Sequence, residues 1–257
     1  MTELVDRVVA AIRLNHDVLV ALIPNLGEDQ LKAPSGASDW SVAQVLSHLG
    51  SSAEINSRPI ARAVGLEVAE EDNQVVWARW DAAGPVDQAA GFVEQSRAYV
   101  ELIEGLTDEQ RSSVTVELGF LPEPVPLVVA LGLRLNEVAN HGWDVRAGLD
   151  PSAEVDDESA TVLLELFSGP LAFVLGFSGR PGEVDREVRL AVPGGAVVVD
   201  DQVRVTAEVT DPTATLAGPR GAAVRLLSGR LKEPYVGGVD VTGDVTLEEL
   251  RRVFPGY

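Results

Sequence analysis

Apolar residues in the first part of the chain recur at the spacing of an α-helix. Between positions 4 and 22 they stand three or four residues apart, which matches the helical period of 3.6 residues rather than the strand period of two. Ser41 followed by Gln44 forms a capping-box pair and predicts that a second helix begins there. This helix is expected to end near Ser57, with Pro59 beyond it.

Two further helices are predicted before residue 150. Gly84 and Pro85 precede a third helix over residues 86–106, and a short extended segment is expected at 113–118. Pro124 and Pro126 open a fourth helix, which runs to about Ala147 before Gly148. Four helices of this length, joined by modest loops, predict an antiparallel four-helix bundle over residues 1–150.

The pattern changes after residue 150. Asp156 or Asp157 is expected to cap a helix that continues through Phe177. Short apolar segments between glycine and aspartate turns predict strands, and two more helical segments follow. We therefore expect a smaller α+β domain over residues 151–257; its predicted strands are 187–192, 196–199, 203–209 and 236–241, and its later helices are 222–231 and 246–253.

The composition of the chain limits which classes of partner and which cellular location are expected. The net charge of −20 disfavours nucleic acid and anionic membranes, because both attract basic surfaces. The chain has no cysteine, so any sulfur chemistry needs a thiol from outside the protein. The amino terminus is acidic and unlike a secretory signal, and we read no apolar run of the ~20 residues that a bilayer requires. A cytoplasmic protein, monomeric or homodimeric, is expected.

Histidine is scarce in this chain, and its positions suggest a metal site. Glu137 and His141 are four residues apart and share one face of the fourth helix. With His48 they would form a site of two imidazoles and one carboxylate with open positions, suited to zinc, iron or nickel. The alternatives are a solvated face with ion pairs for Glu137 and His141, and a packed core position for His48. His16 is expected in the core or in a pocket wall.

Two charged residues flank this group on the same helix. Arg134 and Asp144 lie within the same arc as Glu137 and His141, with apolar residues on either side. They are candidate catalytic residues that would orient the site's ligands. An ordinary intrahelical ion pair is the alternative.

Two segments resemble a known family. Residues 39–50, DWSVAQVLSHLG, and residues 134–146, RLNEVANHGWDVR, are similar to the two hallmark segments of the mycothiol-dependent maleylpyruvate isomerase family. The carboxyl-terminal half shares looser similarity at 211–212, 227–230 and 241–244. The resemblance implies a DinB-like metal-binding four-helix bundle followed by a sterol-carrier-like α+β domain.

The resemblance also implies a chemistry. His48, Glu137 and His141 would bind zinc, and the cosubstrate would be mycothiol, a low-molecular-weight thiol of actinobacteria. The thiol would add to a small electrophile, either as an S-transferase reaction or as cis–trans isomerisation of a maleylpyruvate-like substrate. Arg230 is a candidate for holding a substrate carboxylate across the domain interface, or else a helix-terminal arginine that contacts carbonyl groups.

Two other functions fit the same residues. The metal could serve hydrolysis or non-haem iron chemistry without a thiol. The scaffold could also bind a small molecule without turning it over.

Overall fold

The structure is a computed structural model that describes residues 2–37 and 39–256, and the chain divides after Asp150 into two compact units. The first unit is helical, with one small two-stranded antiparallel sheet. Its elements are α1 Thr2–Leu22, α2 Glu28–Lys32, α3 Val42–Ala63, α4 Asn73–Asp81, α5 Pro85–Glu104, α6 Asp108–Ser113, β1 Thr115–Val116, β2 Val125–Pro126 and α7 Leu127–Ala147.

The four long helices of the first unit pack into a bundle. Helix α3 packs against α5 and α7, and α1 packs against the same two helices. The apolar face of each helix is buried, as the helical period predicts. The predicted fold class, a helical bundle followed by an α+β part, is confirmed.

Helix α3 begins where the sequence predicts and ends later. The side chains of Ser41 and Gln44 form both bonds of the capping box. The predicted end near Ser57 is wrong, because Pro59 lies inside the helix, which continues to Ala63. Proline removes one hydrogen bond from the helix, but Ile60 in the next position is buried and holds the last turn against the bundle.

The pattern did not reveal α2, α4 and α6, which have nine residues or fewer and little periodic apolar sequence. Helix α4 is held by tertiary contacts with α3. The Trp80 indole donates to Glu54 at 2.9 Å, and Arg79 donates to the same carboxylate at 2.7 Å. Burial of Val76 and Trp80 then completes its attachment.

Helix α1 with the following turn, Thr2–Asn25, is long and apolar enough to cross a membrane by length and composition. The segment 157–178 meets the same test only as two helices bent by 83°. One face of α1 is buried against the bundle, including Val8 and Ile12. Its apolar character is therefore accounted for by the core of the first unit.

The second unit contains a five-stranded sheet and four α-helices among the described residues. The strand order is β5-β4-β3-β6-β7; β3 and β6 are parallel, and the other neighbours are antiparallel. The elements are α8 Asp157–Phe167, α9 Leu175–Ser178, β3 Val188–Val192, β4 Gly195–Val199, β5 Val203–Thr206, β6 Ala214–Ala217, α10 Gly221–Leu227, β7 Asp240–Gly243 and α11 Leu247–Val253.

Several predicted boundaries in this unit are wrong. The helix expected through Phe177 stops at Phe167, because Gly169 and Pro170 interrupt it. Helix α10 stops at Leu227, since Gly229 adopts a positive φ of 70°. The strand expected from 236 begins at Asp240, the one expected through 209 ends at Thr206, and β6 was not predicted.

Two glycines in the first unit should respond in opposite ways to alanine. A Cβ at Gly50 would overlap the buried Trp80 ring, whereas a Cβ at Gly142 would meet Leu19 at an ordinary 3.6 Å. We expect Gly50→Ala to destabilise the unit by about 2 kcal/mol through overpacking, and Gly142→Ala to be neutral or to stabilise it by up to about 1 kcal/mol through helix propensity.

Urea unfolding followed by tryptophan fluorescence measures this difference, because all four tryptophans lie before residue 150. Equal midpoints for the Gly50→Ala and Gly142→Ala proteins would contradict the packing described for Trp80.

Candidate metal centre

Helices α3 and α7 bring His48, Glu137 and His141 together. One nitrogen of each histidine and one oxygen of Glu137 all lie within 4.8 Å of one another. His48 Nε2 donates to Glu137 Oε2 at 2.8 Å, and His141 Nε2 lies 3.7 Å from the same oxygen. Two imidazole nitrogens and a carboxylate oxygen are a donor set that divalent zinc or iron accepts, so this group fits a metal ion.

Local sequence explains how the two helices present these side chains. On α3 the buried residues Val45, Leu46 and Leu49 face the core, which leaves His48 at the edge of that stripe, with 33% of its side chain exposed. On α7 the four-residue spacing stacks Glu137 and His141 on one face. The site therefore lies at the border between core and solvent.

Asp144 binds the ring nitrogen of His141 that does not face Glu137. Its fully buried carboxylate accepts a hydrogen bond from His141 Nδ1 at 2.8 Å. With the proton on Nδ1, the Nε2 lone pair faces Glu137 and is available to a metal. Asp144 is thus placed to orient His141, through a contact within one helix.

Arg134 connects α7 to two other helices and does not form the intrahelical ion pair that was the alternative. Its guanidinium donates to Ser52 Oγ at 2.6 Å and to the Leu49 carbonyl oxygen at 3.0 Å, both on α3. It also lies 5.2 Å from the centre of the Tyr99 ring of α5. Arg134 does not contact the two histidines directly and acts one turn away from them.

Glu137 stays ionised even at pH values well below neutral. Burial alone would raise its pKa, but the hydrogen bond from His48 and the charges of His141, His48 and Arg134 lower it to about 2. The carboxylate therefore stays negative at neutral pH. A negative oxygen between two imidazoles is the arrangement that favours binding of a cation.

Trp40 covers the two histidines and was not predicted as a site residue. Its ring centre lies 5.2 Å from that of His48 and 5.9 Å from that of His141. The two imidazoles are 4.7 Å apart, edge to face. Its position directly before the helix cap at Ser41 was the signal available in the sequence.

A cavity of about 280 Å³ opens beside His48 and Glu137 and lies wholly among residues of the first unit. Helices α3, α5 and α7 and the segment after β1 form its wall. This size is near the lower end of the range for ligand sites, roughly 300–1,000 Å³.

The remaining candidates lie elsewhere. His16 is buried between α1 and α5, where its Nδ1 lies 2.8 Å from Ser96 Oγ, and burial lowers its pKa. It is therefore a core histidine. Arg230 lies in the second unit, is buried, and donates to the Ser228 carbonyl at 3.3 Å; a role for it toward substrate stays a prediction.

Residues 12–146, slightly more than half of the chain, match the family model of the mycothiol maleylpyruvate isomerase N-terminal domain. An uncharacterised protein of Mycobacterium tuberculosis, known from two strains, is 28% identical over 151 residues. That match covers 56% of this chain and 69% of the relative.

Two solved structures share the fold. They are crystal structures of the mycothiol-dependent maleylpyruvate isomerase and of its variant with one histidine replaced by alanine, with TM-scores of 0.62 and 0.61. Sequence identity is 17% and 16%, and each match covers 94% of this chain and 95% of the other. At this identity the likeness establishes the fold.

The low pKa of Glu137 predicts a pH-dependent contribution to stability in the metal-free protein. The pKa falls from 4.5 in an unperturbed glutamate to about 2 in the folded chain. Its stabilising contribution is therefore complete above pH 4.5 and disappears as the pH falls toward 2.

Glu137→Gln should lower the free energy of unfolding by about 1–2 kcal/mol at pH 6, below the ~3 kcal/mol that the full shift would imply, because the side chain is partly exposed. Urea titrations between pH 6 and pH 3 should show this difference shrinking on acidification. A difference independent of pH would contradict the assigned pKa.

Proposed function

The chain belongs to the mycothiol maleylpyruvate isomerase family, and on that premise we propose that it is a zinc-dependent enzyme that activates mycothiol for addition to a small electrophile. The single observation that supports this most strongly is the grouping of His48, Glu137 and His141 within 4.8 Å, with Asp144 behind His141. A zinc ion held by these three residues would supply a Lewis acid that lowers the pKa of a bound thiol to near neutrality.

The chain's own residues prepare the site for a thiol from outside. No cysteine is present in the sequence to supply the sulfur. Glu137 remains ionised at neutral pH, and Asp144 fixes the proton of His141 on Nδ1. Trp40 packs over both imidazole rings and shields one side of the site from water.

Two outcomes of the addition are chemically balanced. In isomerisation, the thiolate sulfur bonds to one carbon of an activated double bond, the resulting single bond rotates, and the sulfur leaves with its bonding electron pair. In S-transfer, the neighbouring carbon takes up a proton and the carbon–sulfur bond remains. The proposal covers both reactions and includes a maleylpyruvate-like substrate among the electrophiles.

The proposal includes a cytoplasmic location, because low-molecular-weight thiols are kept reduced there. It also retains a monomer or homodimer as the working assembly.

Alanine at either histidine tests the metal site. We expect His48→Ala and His141→Ala to lower zinc affinity at least 100-fold and to abolish mycothiol-dependent turnover, since each removes one of three metal ligands. The matched control is His16→Ala, which removes the third histidine, a buried residue of α1 that is hydrogen-bonded to Ser96 and is not one of the three proposed ligands.

Metal content of the purified proteins is measured by mass spectrometry, and turnover is followed with and without mycothiol. Full zinc content and full turnover in both His48→Ala and His141→Ala would show that the proposal is wrong. Iron instead of zinc in the purified wild-type protein, or turnover that does not depend on added thiol, would favour metal chemistry without a thiol.

Asp144 should raise the zinc affinity of the site without being a metal ligand itself. Asp144→Asn keeps the shape of the side chain but removes its charge beside His141, and we expect zinc affinity to fall by about 10–100-fold. Competition with a colour-forming chelator measures this affinity. Turnover at saturating zinc should recover much of the wild-type value; unchanged zinc affinity would contradict the orienting role.

A further inference from the structure

The cavity beside the candidate metal centre runs along the groove between α3 and α7. Its lining residues on α3 stand four positions apart and therefore share one face. Its lining residues on α7 lie between Ala130 and Glu137, within about two turns. The span from position 48 to position 60 corresponds to about 18 Å of helix. The residues concerned are His48, Ser52, Asn56 and Ile60 on α3, and Leu133, Arg134 and Glu137 on α7.

The character of the wall changes along this groove. The end at His48 and Glu137 belongs to the candidate metal centre. One and two turns further along α3, Ser52 and Asn56 make the wall polar together with Arg134 of α7, and apolar side chains including Ile60 and Phe120 complete it. A ligand that matches this order has a reactive end, a polar group next to it and an apolar group beyond.

The polar section contains donors that have no acceptor. Arg134 and Tyr99 are both almost fully buried, and Arg134 Nε and the Tyr99 hydroxyl have no hydrogen-bond partner among the described residues. Burial raises the pKa of Tyr99, so its hydroxyl keeps its proton at neutral pH. Buried donors without acceptors cost free energy, which a ligand oxygen can recover.

The charge in this section points to an anionic group. Among the described residues that line the cavity, Arg134 is the only arginine or lysine. Its hydrogen bonds go to a hydroxyl and a carbonyl, both uncharged acceptors. A carboxylate would complete a charged pair with it, whereas the apolar section of the wall offers no arginine or lysine to a second carboxylate.

We propose that this cavity binds the electrophile as a monocarboxylic acid whose carboxylate, between the reactive double bond and an apolar group, pairs with Arg134 and Tyr99 while the apolar group contacts Ile60, Leu133 and Phe120. This inference rests on the proposed thiol chemistry for the reactive end. It narrows the proposed electrophiles to one substrate class, an aryl- or alkyl-substituted unsaturated monocarboxylate, and leaves out dicarboxylates such as maleylpyruvate.

Binding of an unreactive analogue tests the cavity without turnover. The probe is 2-methyl-3-phenylpropanoate, which carries one carboxylate and one phenyl group and has no alkene to accept a thiol. Its primary amide lacks the charge, and methylsuccinate replaces the phenyl group with a second carboxylate. Calorimetric titration of the whole chain, zinc-loaded and metal-free, should show the phenyl acid binding at least tenfold tighter than either comparison compound.

Variants assign the two parts of the ligand. Arg134→Gln should remove the preference for acid over amide. Tyr99→Phe keeps the ring and deletes only the unpaired hydroxyl, and it should weaken binding of the acid several-fold. It replaces Arg134→Gln as the test if that variant does not fold. Phe120→Ala should weaken acid and amide alike by roughly fivefold, the contribution of one aromatic contact.

Phe177→Ala is the matched control, because Phe177 is an exposed phenylalanine of the second unit and does not line the cavity; its affinities should equal those of the wild type. Wild-type affinities in both Tyr99→Phe and Phe120→Ala, or methylsuccinate binding as tightly as the phenyl acid, would overturn the inference. Intact binding without thiol-dependent turnover would overturn the proposed function alone, and turnover without binding would overturn only the substrate class.

Discussion

The site depends on buried polar groups of α3 and α7 that satisfy one another. Glu137 accepts a hydrogen bond from His48, and one turn away Arg134 donates to the Leu49 carbonyl and to Ser52. If α3 and α7 packed in another orientation, Arg134 would stay buried and Glu137 half-buried without these partners, which is costly. These two connections therefore fix the rotation of both helices, and with it the positions of the histidines.

This arrangement brings charges of both signs together in a strongly acidic protein. The chain carries a net charge of −20, yet Arg134 and two histidines converge around Glu137. Exposed charges act over about 8–10 Å in physiological salt, so the distant acidic surface contributes little inside the cavity. The buried groups decide which ligands fit there, and they favour a metal cation at one end and an anionic group next to it.

Several elements were predictable because their causes are local. The capping box at Ser41 and the glycine after Ala147 depend only on neighbouring residues, and both helices begin or end there as predicted. The predictions were wrong where contacts with residues distant in the sequence determine an element. Burial of Ile60 carries α3 past Pro59, and α4 owes its place to the bonds that Trp80 and Arg79 make with Glu54 on another helix.

The same division applies to the site. The sequence alone determined that Glu137 and His141 share a face, because four residues make about one helical turn, and its two motifs identified the family to which the chain belongs. Only the tertiary structure decided that His48, 89 positions from Glu137, lies 2.8 Å from it, that Asp144 pairs with His141 while Arg134 turns to α3, and that Arg134 and Tyr99 line one cavity. The physical reason is that helix geometry is set by adjacent residues, whereas distances between helices follow from how their side chains pack.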